Sequence, residues 1–407
     1  MIRPMLAAGA ALLVAASPAS AQIAVSANDG KVKLVNGAAQ VVKEPAPDTI
    51  SIIDLAQTPP KVLSELAVPT SVVGPPLSVA ISPDEQLALV TSAMKIDPAD
   101  PTKLAADDRL TVIDLARPAQ TIVGRIKSAV GKAAPENPAQ GAKILATLQA
   151  GKGAAGVSIN KAGTLALVAN RNEGTVSVFT IAGKTVTAAG KVELGNDKSG
   201  PSHVVFLPDG KTALVTRDND HKISELKIDG SKVEYTKRDF SAGLRPSGID
   251  VASQGDVAVV ANIGPGTGDN DTISIIDLKA QPTRVANTVT VGPTPEGLKI
   301  SPDGKFVAVG VMDGSNKAPN SPFFKENGKL IVYSRSGTTL SKVAEAPVGK
   351  WCQGIAWSKN SKTILVQCMV EEEIQVFSLA GITAKGLKKT ATIKIKGGPA
   401  AIRTLEK

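Results

Sequence analysis

The segment KGAAGVSINKAGTLALVANRNEGTVSVF, residues 152–179, carries the pattern that decides the fold. It contains a small-residue start, an apolar strand (GVSI), a tight turn (NKAG), a second strand (TLALVAN) and, after a polar loop, a third strand (TVSVF). A fourth and weaker strand follows before the pattern restarts. Four antiparallel strands in each repeat are typical of a β-propeller blade.

The pattern recurs along the chain, and counting it gives the number of blades. We use the position of Gly156 as an anchor, and later anchors follow at steps of 45 to 57 residues. The seven anchors are Ser78, Gly156, His203, Gly248, Gly297, Gly354 and Ala401. The sequence therefore predicts an all-β, seven-bladed β-propeller with four antiparallel strands in each blade.

The repeats also resemble those of a known family. LVANRNEGTVSVF (167–179) is similar to the YVTN repeat of bacterial seven-bladed propellers, and SPDGKFVAV (301–309) and DTISIIDL (271–278) are further copies. The wider superfamily includes the lactonase-like propellers and the heavy chains of amine dehydrogenases. The resemblance implies this fold for essentially the whole mature chain, but one fold hosts many activities, so the function stays open.

The first 21 residues have the features of a secretory signal peptide. Arg3 gives a basic start, MLAAGAALLVAA is an apolar run too short to span a bilayer, and Ala19-Ser20-Ala21 is a small-residue cleavage site. Residues 22–407 are then predicted to be a single propeller domain, located in the periplasm or secreted. No second apolar run has the length of a membrane span.

Charge and composition argue against nucleic acid as a partner. The formal net charge is +9, but aromatic residues make up 3% of the chain and the basic residues are scattered. Single-stranded nucleic acid is usually bound by clustered Lys and Arg with stacking aromatic rings. A solvated basic surface on an exported protein is the simpler interpretation.

The first blade is predicted to combine both ends of the chain. GPAAIRTLEK (398–407) begins a repeat and stops after its first strand, whereas IAVSAN (23–28) resembles a second strand with no first strand before it. Blade one would thus consist of residues 23–68 and 398–407, with Ile402 beside Val25. This pairing would close the ring and leave no open sheet edge.

Three insertions lengthen blades two and six. Two lie in blade two, at 92–108 and 125–142, and are predicted to be surface excursions without a strand-turn-strand unit. The third, 312–329, lies between the second and third strands of blade six. Loops of this kind leave one face of a propeller together with the starts of the inner strands, so that face is the predicted binding surface for a small ligand or a protein partner.

The two cysteines lie in register in blade seven. Its first two strands fold about a turn near Asn360, so Cys352 and Cys368 are expected to be cross-strand partners. In an exported protein a disulfide is expected here, and a closed loop of about 17 residues contributes roughly 3 kcal/mol in the chain-entropy model. Two free core thiols are the alternative.

Both histidines of the chain fall in blade four. His203 occupies an anchor, and His221 lies in the loop RDNDHK with Asp218 and Asp220 nearby. Such a group could bind a metal ion or transfer protons. The alternative is a buried, hydrogen-bonded His203 and a surface His221.

The lactonase-like relatives give this segment a second interpretation. Their corresponding strand resembles Gly-Pro-Arg-His, which is associated with lactone opening, and an acidic residue follows at the end of the next strand. Residues 200–203 read Gly-Pro-Ser-His, so the arginine is missing. Because Arg217 and Asp218 end the next strand, they are weak catalytic candidates with His203, and Arg217 is a candidate replacement for the lost guanidinium.

The residues before the seven anchors are predicted to line the mouth of the central channel. They are Leu77, Ala155, Ser202, Ser247, Glu296, Gln353 and Ala400, of which Glu296 alone is charged. The predicted ligand-binding residues are Ser202, His203, His221, Ser247, Glu296 and Gln353. Further along the same strands stand Asp250, Lys299 and Arg403, which would form either a water-filled polar network or structural ion pairs.

The Gly-rich loop GPGTGDND (264–271) is predicted to be a rim loop. Asp269 and Asp271 are weak candidates for a calcium site there, and the sequence indicates no other cofactor. Two functional hypotheses follow: an exported binding scaffold, or a lactonase-like hydrolase or propeller subunit of a periplasmic dehydrogenase. The scaffold is favoured because the lactonase motif is incomplete.

Overall fold

The computed structural model describes residues 22–116, 141–381 and 386–405. Within them the chain forms seven four-stranded antiparallel sheets and two short two-stranded hairpins. The predicted all-β class and the seven blades are confirmed. The predicted signal peptide and most of the predicted insertion at 125–142 lie outside the described residues.

Most strands follow one another with short connections. In chain order the first sixteen are β1 (Ile23–Asp29), β2 (Val32–Val35), β3 (Ala38–Val41), β4 (Thr49–Asp54), β5 (Lys61–Ala67), β6 (Val79–Ile81), β7 (Leu87–Thr91), β8 (Met94–Ile96), β9 (Leu104–Ala106), β10 (Arg109–Asp114), β11 (Lys143–Gln149), β12 (Ala154–Ile159), β13 (Leu165–Asn170), β14 (Thr175–Ala182), β15 (Thr185–Glu193) and β16 (Pro201–Phe206). The remaining sixteen are β17 (Thr212–Arg217), β18 (Lys222–Asp229), β19 (Lys232–Phe240), β20 (Pro246–Val251), β21 (Val257–Asn262), β22 (Asp271–Asp277), β23 (Arg284–Gly292), β24 (Pro295–Ile300), β25 (Phe306–Val311), β26 (Gly328–Ser336), β27 (Thr339–Val348), β28 (Cys352–Trp357), β29 (Thr363–Cys368), β30 (Glu373–Leu379), β31 (Leu387–Lys394) and β32 (Gly398–Thr404).

Blades two to seven each use four strands in chain order, beginning with the innermost. Blade two is β6-β7-β10-β11, and blades three to seven begin with β12, β16, β20, β24 and β28. Neighbouring inner strands pack against one another, and β32 contacts both β28 and β6. The inner strands therefore form a closed ring around a central channel.

Blade one joins the two ends of the described chain in the order β32-β1-β4-β5. Arg403 lies opposite Val25 and Ile402 lies opposite Ser26, so the predicted closure is confirmed with a register one residue from the one predicted. Gln367 of blade seven donates hydrogen bonds to Ser26 Oγ at 2.7 Å and to the carbonyl oxygen of Ala401 at 3.0 Å. These bonds fasten the last blade to both strands of the closure.

The burial pattern of the strands follows from their position between blades. Every residue of β13 is buried, because Leu165, Leu167 and Ala169 pack toward blade four while Ala166 and Val168 pack toward blade two. A strand that is buried on both faces has a nearly continuous apolar sequence. The outer strand β23 instead alternates between exposed and partly buried residues, since one of its faces meets solvent.

An asparagine at the end of the second strand is a repeated structural link. Asn170 donates hydrogen bonds from Nδ2 to Thr175 Oγ1 at 2.8 Å and to Ser177 Oγ at 2.9 Å, on the adjacent third strand. Asn28 and Asn262 make the same pair of bonds in blades one and five. In these three blades the asparagine of the repeat therefore links the second strand to the third.

The connections between second and third strands lie on one face, which we call the loop-bearing face. In blade one this connection contains the hairpin β2-β3, and in blade two residues 92–108 contain the hairpin β8-β9. The prediction that 92–108 has no strand-turn-strand unit was wrong, although two strands of three residues do not make an eighth blade. Val32 of the first hairpin and Leu104 of the second pack into one apolar cluster that includes Trp351.

Cys352 and Cys368 lie opposite each other on β28 and β29 and form the predicted disulfide, with a Cα–Cα distance of 4.0 Å. Both residues are buried. The bond joins the two strands where they reach the loop-bearing face, directly before Gln353. It therefore holds a predicted mouth residue in place.

Candidate functional site

The inner strands start with an irregularity that turns side chains toward the channel. In six of the seven blades the pairing between the inner and second strands shifts register near the anchor. A β-bulge breaks the two-residue alternation of a strand and re-aims the neighbouring side chain. Two members of the predicted ring meet here, because Gln353 Nε2 donates a hydrogen bond of 2.7 Å to Glu296 Oε2.

Two arginines from different blades converge on one buried carboxylate at this mouth. Arg171 Nη2 donates to Asp218 Oδ2 at 2.5 Å, and Arg245 Nη2 lies 3.3 Å from the same oxygen. Arg171 Nη1 also donates to Ser202 Oγ. We call these four residues the arginine cluster. The side chain of Asp218 is 1% exposed, whereas those of Arg171 and Arg245 are 25% and 34% exposed, so the carboxylate anchors two guanidinium groups that reach solvent.

Sequence reasoning did not identify Arg171 as a site residue. It directly follows Asn170, whose side chain is fixed in the strand joint. Asp218 follows the second strand of blade four in the same way, and Met312 and Met369 follow those of blades six and seven. The position after the second strand is therefore a second ring around the mouth, and it is the signal by which Arg171 could have been found.

Arg217 is not at the mouth, which corrects the expectation that it replaces the missing guanidinium. It occupies the position that is Asn170 in blade three, and its Nη1 donates to Ser224 Oγ at 3.2 Å. Its other polar contacts are with Asp220, Tyr235 and Asp239, and the residue is 3% exposed. Side chains alternate along a strand, so Arg217 and Asp218 point in different directions. Arg171 supplies the guanidinium beside Ser202 instead.

The surroundings of Glu296 raise the pKa of its carboxyl group. Burial is the main cause that raises the pKa of its carboxyl, to about 7, and the charge of Asp218 acts in the same direction. The hydrogen bond from Gln353 and the charges of Arg245 and Arg171 oppose this rise in pKa. Glu296 is therefore a carboxyl group that changes protonation near neutral pH, which is the property of a general acid or base.

Replacing Glu296 by Gln is expected to stabilise the protein more at pH 8 than at pH 5. Because the carboxyl of Glu296 has a pKa of about 7 in the folded protein, the native state binds more protons than the unfolded chain between pH 4.5 and 7. Ionisation of Glu296 therefore lowers the free energy of unfolding as pH rises through that window. Thermal unfolding midpoints of the two proteins at both pH values measure the effect, expected to be a few degrees. Glu193→Gln on the outer strand β15 is the control. An equal difference in midpoint at both pH values would contradict the expectation.

The two histidines have different surroundings. His203 is 2% exposed, and its Nε2 lies 3.4 Å from Arg403 Nη2. His221 lies on the exposed rim, where its Nδ1 accepts a hydrogen bond of 3.1 Å from the backbone N–H of Arg245. His221 thus supports the loop that carries Arg245. The structure does not bring the two imidazoles together as one metal site.

Ser247, the predicted ring residue of blade five, is buried. Its carbonyl oxygen accepts a hydrogen bond of 2.6 Å from Thr216 Oγ1. This contact ties blade five to blade four below the arginine cluster. The predicted roles of Ser202, Ser247 and Gln353 in ligand binding stay predictions.

Further inside the channel, charged residues are buried in mutual contacts. Lys299 Nζ lies 2.7 Å from Asp250 Oδ1, and both side chains are less than 10% exposed. The backbone N–H of Ile300 also donates to Asp250. The contact of Arg403 with His203 joins blade one to blade four, which lie across the ring from each other. These contacts agree with the structural interpretation of the inner charges.

The candidate calcium loop uses its carboxylates internally. Asp271 Oδ2 accepts a hydrogen bond of 2.8 Å from the Thr294 backbone, and Asp269 accepts one from Thr267. In the described part of the chain, no group of three or more His, Cys, Asp or Glu side chains is arranged to hold a metal ion.

The described residues include no helix long and apolar enough to span a bilayer.

One segment of the chain matches a known protein family. Residues 195–330 match the family described as lactonase, seven-bladed β-propeller. This segment contains Ser202, Asp218, Arg245 and Glu296, but not Arg171. A 66 kDa stress protein from Physarum polycephalum is 28% identical over 167 residues, which are 36% of this chain and 24% of that protein, so the match spans about a quarter of the relative's length.

Solved structures with the same fold cover nearly the whole chain. A candidate 6-phosphogluconolactonase from Bacteroides uniformis has a TM-score of 0.69 and 17% identity, over 94% of this chain and 99% of that one. The periplasmic gluconolactonase of Pseudomonas aeruginosa has a TM-score of 0.64 and 15% identity, over 95% and 99%. At these identities the likeness concerns the fold. The resemblance predicted from the repeats is confirmed: the chain is a seven-bladed β-propeller, and its residues 195–330 are similar to the lactonase family.

Proposed function

We propose that the mouth on the loop-bearing face binds a small anionic organic molecule, of the class of sugar acids, through Arg171 and Arg245. One observation carries the proposal: two partly exposed guanidinium groups from different blades share a single buried carboxylate oxygen of Asp218. Asp218 orders both groups but balances only one of their charges.

The chemistry of the arginine cluster favours an anion that carries a carboxylate or phosphate group. A guanidinium offers a rigid set of donors that matches carboxylate and phosphate groups in bidentate geometry. Arg171 donates to Asp218 and Ser202, and Arg245 donates to Asp218 and to the carbonyl oxygen of Gly264. These bonds restrict rotation of the long side chains, which lowers the entropic cost of binding.

Lactone hydrolysis is the second candidate, and Glu296 is the observation that favours it. A carboxyl group with a pKa of about 7 is suited to act as a general base toward water at neutral pH. The arginine pair would then stabilise negative charge on the opening lactone. The lactonase family segment and the gluconolactonase names of structural neighbours support this candidate, while Ser202 at the usual arginine position weakens it.

Titration calorimetry and a pH-stat assay separate the two candidates. We expect gluconate and 6-phosphogluconate to bind with dissociation constants of about 1 mM or lower, and an uncharged sugar such as glucose not to bind. Hydrolysis of glucono-δ-lactone above the buffer rate would add the enzymatic function. If neither anion binds and no lactone is opened, the proposed function is wrong.

We also propose that the protein is exported. The signal-like pattern of residues 1–21 and the disulfide in blade seven support this location. Detection of a mature N-terminus at Gln22 in the periplasm or medium is the test. A protein partner on the loop-bearing face stays a prediction.

A further inference from the structure

Large apolar side chains that meet solvent are concentrated on the loop-bearing face. Six such side chains are exposed among the described residues, and two of them, Ile144 and Leu145, lie on the outer strand β11. The other four lie in connections on the loop-bearing face: Val35, Leu244, Phe323 and Val370. Scattered single residues of this kind are normal, whereas apolar surface beside charged groups marks a site for a ligand or partner.

Leu244 and Phe323 border one loop of blade five. The carbonyl oxygen of Leu244 accepts a hydrogen bond of 3.2 Å from the backbone N–H of Gly264, and its side chain is 57% exposed. The ring of Phe323 is 49% exposed and lies against Gly268 of the same loop, where a Cβ would collide with it. We call Leu244, Phe323 and the loop 264–268 between them the apolar rim.

The blade-six insertion is fastened to this loop, so the position of Phe323 is built into the fold. Lys317 of the insertion donates a hydrogen bond of 2.6 Å from Nζ to the carbonyl oxygen of Gly266. The contact of the Phe323 ring with Gly268 is a second link between the insertion and the loop. The two exposed apolar side chains are therefore held on one surface, although they come from different blades.

The apolar rim is continuous with the arginine cluster. Arg245 directly follows Leu244, and its Nη1 donates a hydrogen bond of 3.2 Å to the carbonyl oxygen of Gly264. Its own carbonyl oxygen accepts one of 3.1 Å from the backbone N–H of Ile263. Gly264 is thus bonded to both Leu244 and Arg245. Ligand sites combine apolar surface with a few polar groups that orient the ligand, and this rim has both.

From this geometry we infer that the ligand is an amphipathic sugar acid. Its carboxylate would bind Arg171 and Arg245, and an apolar substituent would cover Leu244 and Phe323. The inference rests on the proposed function and adds the chemical class of the group attached to the acid. Covering the two side chains removes apolar surface from water, which is favourable in proportion to the area covered.

Titration calorimetry at pH 7 with methyl β-D-glucuronide and phenyl β-D-glucuronide tests the inference. The two compounds share the carboxylate and the sugar ring and differ only in the apolar group. We expect the phenyl compound to bind about tenfold more tightly, because burial of about 55 Å² of apolar surface corresponds to a factor of this size. Equal affinities would overturn the inference, leave the proposed function standing and assign the apolar rim to another occupant, such as a protein.

Leu244→Ser is expected to weaken binding of the phenyl compound about fivefold and to leave the affinity for the methyl compound within about twofold. The methyl compound therefore reports whether the arginine cluster is intact in each variant. Leu145→Ser is the matched control, because Leu145 is an exposed leucine on the outer strand β11, and it is expected to change neither affinity.

The double variant Leu244→Ser, Phe323→Ser completes the test. It is expected to bind the two glucuronides with affinities within about twofold of each other. A retained tenfold preference for the phenyl compound in this variant overturns the inference. Failure of gluconate and of both glucuronides to bind the unchanged protein contradicts the proposed function, and the inference fails with it.

Discussion

Deletion of residues 398–407 is expected to lower the thermal unfolding midpoint by roughly 10 °C, the largest effect on stability that we predict. The deletion removes β32, whose seven residues are all buried, and leaves β1 as an unpaired inner edge. Burial of Ile402 alone accounts for about 2–5 kcal/mol, as measured for Ile→Ala changes in protein cores. Gln367 also loses an acceptor, the carbonyl oxygen of Ala401.

A shorter truncation is the control for this experiment. Removal of residues 405–407 leaves β32 complete and is expected to leave the midpoint nearly unchanged. Calorimetric scans of the three proteins at one protein concentration provide the comparison. An unchanged midpoint after deletion of 398–407 would mean that pairing of the chain ends does not hold the ring together.

Arg171→Met is expected to weaken binding of gluconate about 100-fold, the largest functional effect that we predict. The change removes a charged partner for the anion, and it leaves Asp218 with Arg245 alone. A lost pair of charge-assisted hydrogen bonds, at about 1.5 kcal/mol each, corresponds to a factor of this size. Titration calorimetry at pH 7 measures the affinity.

Arg238→Met is the matched control, because Arg238 is a similarly exposed arginine, paired with Glu225 in blade four away from the mouth. Its substitution is expected to leave gluconate affinity within about twofold, as for ordinary surface changes. Arg171→Lys keeps the charge but loses the planar donor set, so an intermediate affinity is expected. Unchanged affinity in Arg171→Met would remove Arg171 from the binding site.

The fold was predictable because the strand pattern of one blade recurs along the chain. A second strand such as Leu165–Asn170 is apolar throughout and ends in the asparagine that bonds the third strand, so one repeat indicates both strands and their joint. The register of the closure was less predictable. A bulge between Ala27 and Asn28 places Ile402 opposite Ser26, and no residue in either strand marks that bulge in the sequence.

The candidate site was predictable in part. Glu296 stood out as the charged member of the predicted ring, but its burial, which is the main cause of the raised pKa of its carboxyl, and the opposing charges of Arg171 and Arg245 come from the packing of other blades around it. Arg217 and Asp218 were both candidates at one strand end. The choice between them depends on which residue follows the last paired position of the strand, and this boundary is difficult to place from sequence.

The hairpin β8-β9 was missed for a related reason. Its strands, Met94–Ile96 and Leu104–Ala106, have three residues each, too few for an alternating pattern to be recognised. They form because the hairpin packs Leu104 against the apolar cluster around Trp351. That contact brings blade two together with residues of blades one, six and seven, most of which are distant in sequence.

The contacts of His203 with Arg403 and of Lys299 with Asp250 affect how a ligand can enter and leave the channel. One of them crosses the lumen from blade four to blade one, and the other occupies the wall beside it. These contacts narrow the central channel further inside than the arginine cluster. A ligand bound at the arginine cluster is therefore expected to enter and leave past the rim loops, so changes in these loops are expected to alter both its association rate and its dissociation rate.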